Sequence, residues 1–325
     1  MVNFGYAISS EEHAPRDLVR HAQMAEETGF TFALVSDHFH PWVDAQGHSP
    51  FVWSVLGGIA MNTKRLQVGT GVTCPIIRIH PGIIAQAAAT VAAMMPGRFF
   101  LGLGTGENLN EHILGDHWPP FDLRSEMFEE AIHVIRLLWE GGNKTFYGAF
   151  YTVENARLYT LPEAPIPIMI AASGKQAANI AGRLGDGLIS TAPDEEIVQL
   201  FEQAKDTNRP KYGQVTVCYG EDEAAARKLA HKLWPNAGLP GELSQELPTP
   251  AHFEQASQLV TEDKIAEFIV CGNDPQRHLE QIHKYIDAGF DHIYIHQIGP
   301  DQEGFFNFYG EQILPRLREQ LPATT

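Results

Sequence analysis

Short β-type runs alternate with helical periods along the whole chain, and that alternation leaves few folds open. Eight runs can be counted, at residues 3–7, 32–36, 66–71, 98–103, 166–171, 187–190, 214–218 and 292–296. The segments between them carry core-facing stripes at helical spacing, such as Leu18, Ala22, Ala25 and Gly29, or Phe306, Tyr309, Ile313 and Leu317. Strands joined through helices run parallel, because each crossover returns the chain to the same edge of the sheet. Eight such units in 325 residues predict a (β/α)8 TIM barrel. Longer segments at about 107–123, 145–161 and 234–272 read as insertions. No Pro/Gly/Ser-rich linker, repeat or low-complexity tract divides the sequence, so residues 1–325 are expected to form a single domain.

Charge narrows the partners. With 40 acidic against 23 basic residues the chain carries −17, which repels phosphate backbones and anionic lipid surfaces. Neither nucleic acid nor a membrane is expected, and a small-molecule substrate is. Cys74, Cys218 and Cys271 are odd in number and far apart, which suggests neither a disulfide framework nor a zinc ribbon and fits a reducing cytoplasm. The opening stretch lacks the basic flank and apolar core of a secretory signal. The most apolar stretch, residues 81–96, is too short to span a bilayer and is broken by Gln86 and Thr90, so a buried helix is expected there.

In a TIM barrel the chemistry sits on the loops that leave the C-terminal ends of the strands. Five consecutive strands here deliver polar or glycine-rich ends to one rim. The second releases Asp37-His38-Phe39-His40-Pro41-Trp42, the third ends in "GTGVTCP", the fourth in "GLGTGENLNE", the fifth in "AASGKQAA" and the sixth near Thr191. One shared ligand would account for the convergence.

An Asp-His pair at a strand end can orient an imidazole for proton transfer, or be a structural hydrogen bond. His38 and His40 would suit a metal pair, but the later strand ends offer Cys74, Glu107 and Thr191 rather than another His and an Asp, so no metal is expected. Trp42 suits either the core or a wall beside a planar ring. "GLGTGE" lacks the third glycine of a dinucleotide fingerprint, since Glu107 stands there. Gly102, Gly104 and Gly106 then permit either a turn or the close approach of a ring, with Glu107 placed to exchange a proton. In "SGKQAANIAGRLG" Ser173 reads as the N-cap of a helix with Lys175 in its first turn, a place for a phosphate.

Taken together, "SDHFHPW", "GTGVTCP", "GLGTGENLNEHILG" and the late run "DQEGFFNFYGEQILPRLRE" resemble the luciferase-like flavin and deazaflavin oxidoreductases, in the branch of the coenzyme F420-dependent glucose-6-phosphate and secondary-alcohol dehydrogenases. The similarity runs from about Phe4 to Arg318. The resemblance implies a TIM barrel that holds the deazaflavin ring at its strand ends, and a homodimer. By position, Asp37 and His38 match the active-site pair, Trp42 the ring-side tryptophan, Glu107 the catalytic carboxylate and Glu11 a further acid that reaches the site. Gly71 and Val72 match a non-prolyl cis peptide, and Cys74 lies in the same stretch at the ring. Gly106, Asn110, Ser173, Gly174, Lys175, Gln176 and Thr191 match cofactor-contact positions. Within this resemblance Asp37 is expected to fix His38, His38 to face the reacting C–O bond and Trp42 to wall the ring.

The chain also departs from the sugar-phosphate branch. "TAPDEE", residues 191–196, stands where that branch presents basic residues, and Gln255 where it presents lysine. Carboxylates lining the pocket would repel a phosphate, so a neutral alcohol or carbonyl substrate is expected ahead of glucose 6-phosphate. The expected activity is hydride transfer with F420. Flavin mononucleotide, which shares the tricyclic ring, ribityl chain and phosphate, is the alternative cofactor. A metal-dependent hydrolase on His38 and His40 is a third reading, and a non-catalytic binding barrel would leave Asp37, His38 and Glu107 unexplained.

Overall fold

The computed structural model describes residues 2–205 and 208–320. Eight parallel strands close into a ring: β1 (Asn3–Ile8), β2 (Phe32–Val35), β3 (Gln67–Thr70), β4 (Phe99–Leu103), β5 (Ile168–Ala171), β6 (Gly187–Ser190), β7 (Lys211–Cys218) and β8 (His292–Gln297). Each pairs with the next, and β8 returns to β1 with His292 beside Asn3. The expected barrel is present, and each of the eight runs read from the sequence corresponds to one strand. β7 begins at Lys211, earlier than expected. An unpredicted two-residue strand, Val270–Cys271, adds to its end.

The helices that cover the barrel are α1 (Pro15–Thr28), α2 (Val52–Asn62), α3 (Pro81–Met94), α4 (Phe121–Trp139), α5 (Lys175–Leu184), α6 (Glu195–Gln203), α7 (Glu223–Leu233) and α8 (Pro275–Asp287). A last helical segment, residues 302–320, contains a π-turn at Tyr309–Ile313. α1 shows how local sequence sets such an element. Pro15 opens it, where a missing N–H costs nothing, and Gly29 closes it in the left-handed conformation at φ 99°, donating to the Ala25 carbonyl. Leu18, Ala22 and Ala25 are buried between its ends, as the stripe predicts. α3 is the buried helix expected at 81–96, and no described helix is long and apolar enough to cross a membrane.

Aromatic rings plug the lower barrel, so the open end is the one that carries the polar loops. Phe32, Phe100, Tyr212 and Tyr294 meet there, with ring centroids 5.1 Å apart for Phe32 and Tyr212 and 5.2 Å for Phe100 and Tyr212. Burying each contributes roughly 2–3 kcal/mol. Gly69 makes room: a Cβ there would stand 2.0 Å from the Phe100 ring.

Two of the insertions close over the open end. The third, a hairpin of Lys144–Tyr147 and Thr152–Ala156, is pinned to α4 by Glu130, which accepts from the amides of Ala149, Phe150 and Tyr151. Asn108–Glu111, a single helical turn, follows β4. The long insertion after α7 is clasped to it, since Asn108 Nδ2 donates to the Glu246 carbonyl at 2.9 Å and the buried Arg124 reaches Glu246 Oε1 at 3.1 Å. On the other side Phe253 packs edge-on against Trp42 at 5.2 Å, and Asp44 N donates to Glu254.

Candidate active site

β1 and β2 run in register with Ile8 beside Val35, so the residues that leave them, 9–11 and 36–38, travel side by side. Ser10 N donates to Ser36 Oγ at 2.9 Å. Glu11 Oε2 accepts from Ser9 Oγ at 2.8 Å and from Ser36 Oγ at 2.9 Å. Its Oε1 lies 2.8 Å from His38 Nδ1, off the ring's N–H direction, which makes the contact an ion pair by distance rather than an aligned hydrogen bond. Both side chains are buried, at 2% and 11% exposure. Burial alone would lower the pKa of His38, but Glu11, then Glu107 and Asp37, outweigh it and raise it to about 9. Burial pushes Glu11 upward, and His38 with the hydrogen bonds around it brings it down to about 2. At neutral pH the pair is imidazolium and carboxylate.

The expectation that Asp37 fixes His38 is corrected here. Neighbours in an extended loop point opposite ways, so Asp37 turns away from the ring and into the protein. Its Oδ2 accepts from Thr73 Oγ1 at 2.7 Å and its Oδ1 from Arg78 at 2.9 Å. Arg78 also donates through Nε to Glu111 Oε1 at 3.3 Å, while its backbone amide meets Glu111 Oε2 at 3.0 Å. One buried guanidinium thereby joins the ends of β2, β3 and β4. Burial raises Glu111 to about 7 against the pull of Arg78. Neither Arg78 nor Glu111 was picked out from the sequence. The available signal was a cation inside the apolar run "CPIIRIHP", which needs acids brought to it.

Glu107 faces His38 across the mouth, with Oε2 4.0 Å from Nε2, and is the more accessible of the two at 27% exposure against 11%. Asn110 is buried. Its Oδ1 accepts from the amides of Phe39 and His40, and its Nδ2 points to Glu107 Oε2 at 3.4 Å. Trp42 stands edge-on to His38 at 5.1 Å. His40 is turned to other work, its Nδ1 2.9 Å from the Leu109 carbonyl, so it does not converge with His38 on a common point. The Gly71–Val72 peptide is cis, at the position the resemblance implies. Below Gly106, at φ 76°, lies Cys74: a Cβ on that glycine would meet Sγ at 2.5 Å. Burial, reinforced by Glu111, raises the Cys74 thiol well above its usual range, so it is a neutral packing group rather than a nucleophile.

The fifth and sixth strand ends differ in detail from expectation. α5 is capped by the backbone of Gly174 rather than by Ser173, and no side chain accepts a hydrogen bond from its first turn. Lys175 pairs with Glu196 at 2.6 Å on the surface. Gln176 turns outward to Asp122 at 3.3 Å, and the Thr191 carbonyl accepts from Tyr285 Oη at 2.9 Å. The acids of "TAPDEE" do not act as one repulsive wall. Asp194 caps α6 by accepting from Glu196 N and Ile197 N, Glu195 bonds Gln199, and Glu196 holds Lys175. Gln255 is exposed on the short helix Pro250–Ala256.

Proteins of known family share this barrel over nearly its whole length. Residues 2–292 match the family of luciferase-like monooxygenases. An F420-dependent glucose-6-phosphate dehydrogenase from Microbacterium testaceum is 39% identical over 98% of both chains, and one from Nakamurella multipartita is 39% identical over 98% of this chain and 97% of its own. Among solved structures, an F420-dependent secondary alcohol dehydrogenase in complex with an F420-acetone adduct superposes with a TM-score of 0.90 at 30% identity, covering 98% of this chain and 99% of the other. A barrel with these strand ends, matched over nearly its whole length, belongs to the luciferase-like monooxygenase family.

Proposed function

We propose that this chain is an oxidoreductase that moves a hydride between coenzyme F420 and a small neutral alcohol or its carbonyl counterpart. The observation that carries the reading is the buried His38–Glu11 charge pair facing Glu107 across the mouth. Bound there, the deazaflavin would supply the carbon that accepts or gives the hydride. His38 Nε2 is the proton-handling atom. As imidazolium it donates to a carbonyl oxygen, and after losing its proton it accepts from an alcohol. Glu11 stabilises the charged ring, Glu107 shares the acid and base duties from the opposite side, and Trp42 walls the ring plane. Asn110 holds Glu107 and the 39–40 backbone in place.

The residues present fit the cofactor. Gly106 over Cys74, with Gly71 and Val72, forms a close-packed shelf for a planar ring, and Asp37 is held beside it by Thr73 and Arg78. The first turn of α5, which no side chain caps, leaves the backbone N–H groups of Lys175 and Gln176, with those of Ser173 and Gly174 just before it, for a phosphate, and Thr191 lies on the neighbouring strand end. The F420-dependent relatives support the same cofactor. For the substrate, two cations that could meet a phosphate are already engaged, Lys175 by Glu196 at 2.6 Å and Arg277 by Glu223 at 3.0 Å. A sugar phosphate would have to compete with those carboxylates, and a neutral alcohol would not. Equilibrium titration of the purified protein with F420 and with flavin mononucleotide tests the cofactor, and tighter binding of the flavin would overturn this reading.

Two coarser features belong with the proposal. α2 and α3 carry no charged residue and leave Phe51, Met61, Ile83 and Met94 exposed, which supports a homodimer through that face. Three buried, unpaired cysteines suit a reducing compartment such as the cytoplasm, with the chain acting as one domain.

A further inference from the structure

The turn after β1 carries two consecutive acids, and only Glu11 has been given work so far. Glu12 is equally buried, at 3% side-chain exposure, and holds a different set of groups. Its Oε1 accepts from Trp234 Nε1 at 2.6 Å, and its Oε2 accepts from the Gly299 amide at 2.7 Å. Trp234 is the residue at which α7 ends and the long insertion begins. Gly299 lies in the loop after β8. One carboxylate therefore ties the first strand end to the last and to the root of the insertion.

The Trp234 ring rests edge-on against His296, with centroids 4.6 Å apart. His296 lies two residues after Tyr294, whose ring faces the barrel interior among Phe32 and Tyr212, so the strand's period of two puts His296 on the same interior side, nearer the open end. Its Nε2 is buried without a hydrogen bond, 3.5 Å from Glu12 Oε1. From its root at Trp234 the insertion crosses to Trp42, which packs against Phe253 with Leu239 and Leu247 beside it. Gln46 reinforces the crossing, donating to the Leu233 carbonyl at 2.8 Å while accepting from Trp42 N at 2.8 Å.

We propose that Glu12 is a positioning residue for substrate binding. Through Trp234 it fixes the wall of the mouth that faces the insertion, while its neighbour Glu11 fixes His38 on the reacting side. The division follows from geometry, since two successive residues on one turn send their carboxylates to opposite flanks of the same opening. A carboxylate suits the position because two N–H donors point at it, one to each oxygen, and a neutral amide would present an N–H to one of them. The proposal rests on the hydride-transfer reading above.

The test compares Glu12→Gln, Trp234→Phe and the double variant with the wild type, using F420 and a short secondary alcohol. Trp234→Phe keeps an aromatic ring at the wall while removing the N–H donor and part of the ring area. Each single variant is expected to raise the substrate KM about tenfold, with kcat within about threefold and the Kd for F420 within about twofold. The double variant should add little to either, because both remove the same contact. Unchanged KM in Trp234→Phe, an equal loss of cofactor affinity, or effects that multiply in the double variant would overturn the assignment. Should Glu12→Gln fail to fold by circular dichroism, Trp234→Phe alone decides it. A wild type that neither binds nor turns over F420 would instead mark failure of the underlying reading.

Discussion

At the scale of single residues the site is organised by pairs that sequence adjacency does not reveal. His38 takes its charge from Glu11, brought to it by the β1–β2 register, and Asp37 gives its charge to Arg78. A pH dependence follows with a definite sign. With the His38 pKa raised to about 9, kcat/KM for alcohol oxidation should rise with pH and level off above that value, whereas carbonyl reduction should be flat below it and fall above. In Glu11→Gln burial is left to lower the imidazole against weaker opposition, so the oxidation profile should shift to lower pH by about one unit or more. His38→Ala should lower turnover by about a hundredfold or more, leave cofactor affinity within a few-fold and lose the transition near pH 9. A wild-type profile flat across this range would remove His38 from the proton's path. The sequence made His38, Glu107 and Trp42 legible because each follows a strand end, whereas Glu11 came only through the family resemblance. It could not show which acid meets which base, because that depends on registers between strands distant in the chain.

At the scale of elements, periodicity carried most of the information. Three barrel strands, β3, β6 and β8, end on a polar residue, Thr70, Ser190 and Gln297, and the helices between strands bury one stripe, as with Leu18, Ala22 and Ala25 in α1. Val270–Cys271 escaped because two residues have no period to read. β5 ends at Ala171 as expected, yet α5 starts from Gly174 rather than Ser173, and its first turn is unclaimed by any side chain. That turn carries a prediction in two directions. Lys175→Ala should weaken a phosphorylated cofactor more than its dephosphorylated analogue, by about 1 kcal/mol. Glu196→Gln, which releases Lys175 from its ion pair, should strengthen the phosphorylated cofactor several-fold, with a gain that fades in high salt. Isothermal titration of both variants with both ligands checks the pair, and equal changes for the two ligands would place Lys175 away from the phosphate.

At the scale of the whole molecule, the −17 charge disfavours nucleic acid and anionic membranes without identifying a ligand, and the convergence of strand ends on one rim points to where a ligand would bind. The uncharged outer face of α2 and α3 predicts that light scattering will give twice the chain mass of 36.0 kDa, and that Ile83→Asp will shift the protein toward monomer. A wild-type monomer at micromolar concentration would contradict that assignment. The central claim, hydride transfer between F420 and a neutral alcohol at the His38–Glu107 mouth, is tested most directly by one steady-state comparison. The purified protein, supplied with oxidised F420, is given a short secondary alcohol or glucose 6-phosphate, and loss of the deazaflavin's visible absorbance is followed. The account predicts F420 reduction with a higher kcat/KM for the alcohol; faster reduction with glucose 6-phosphate, or none with either substrate when F420 is bound, would contradict it.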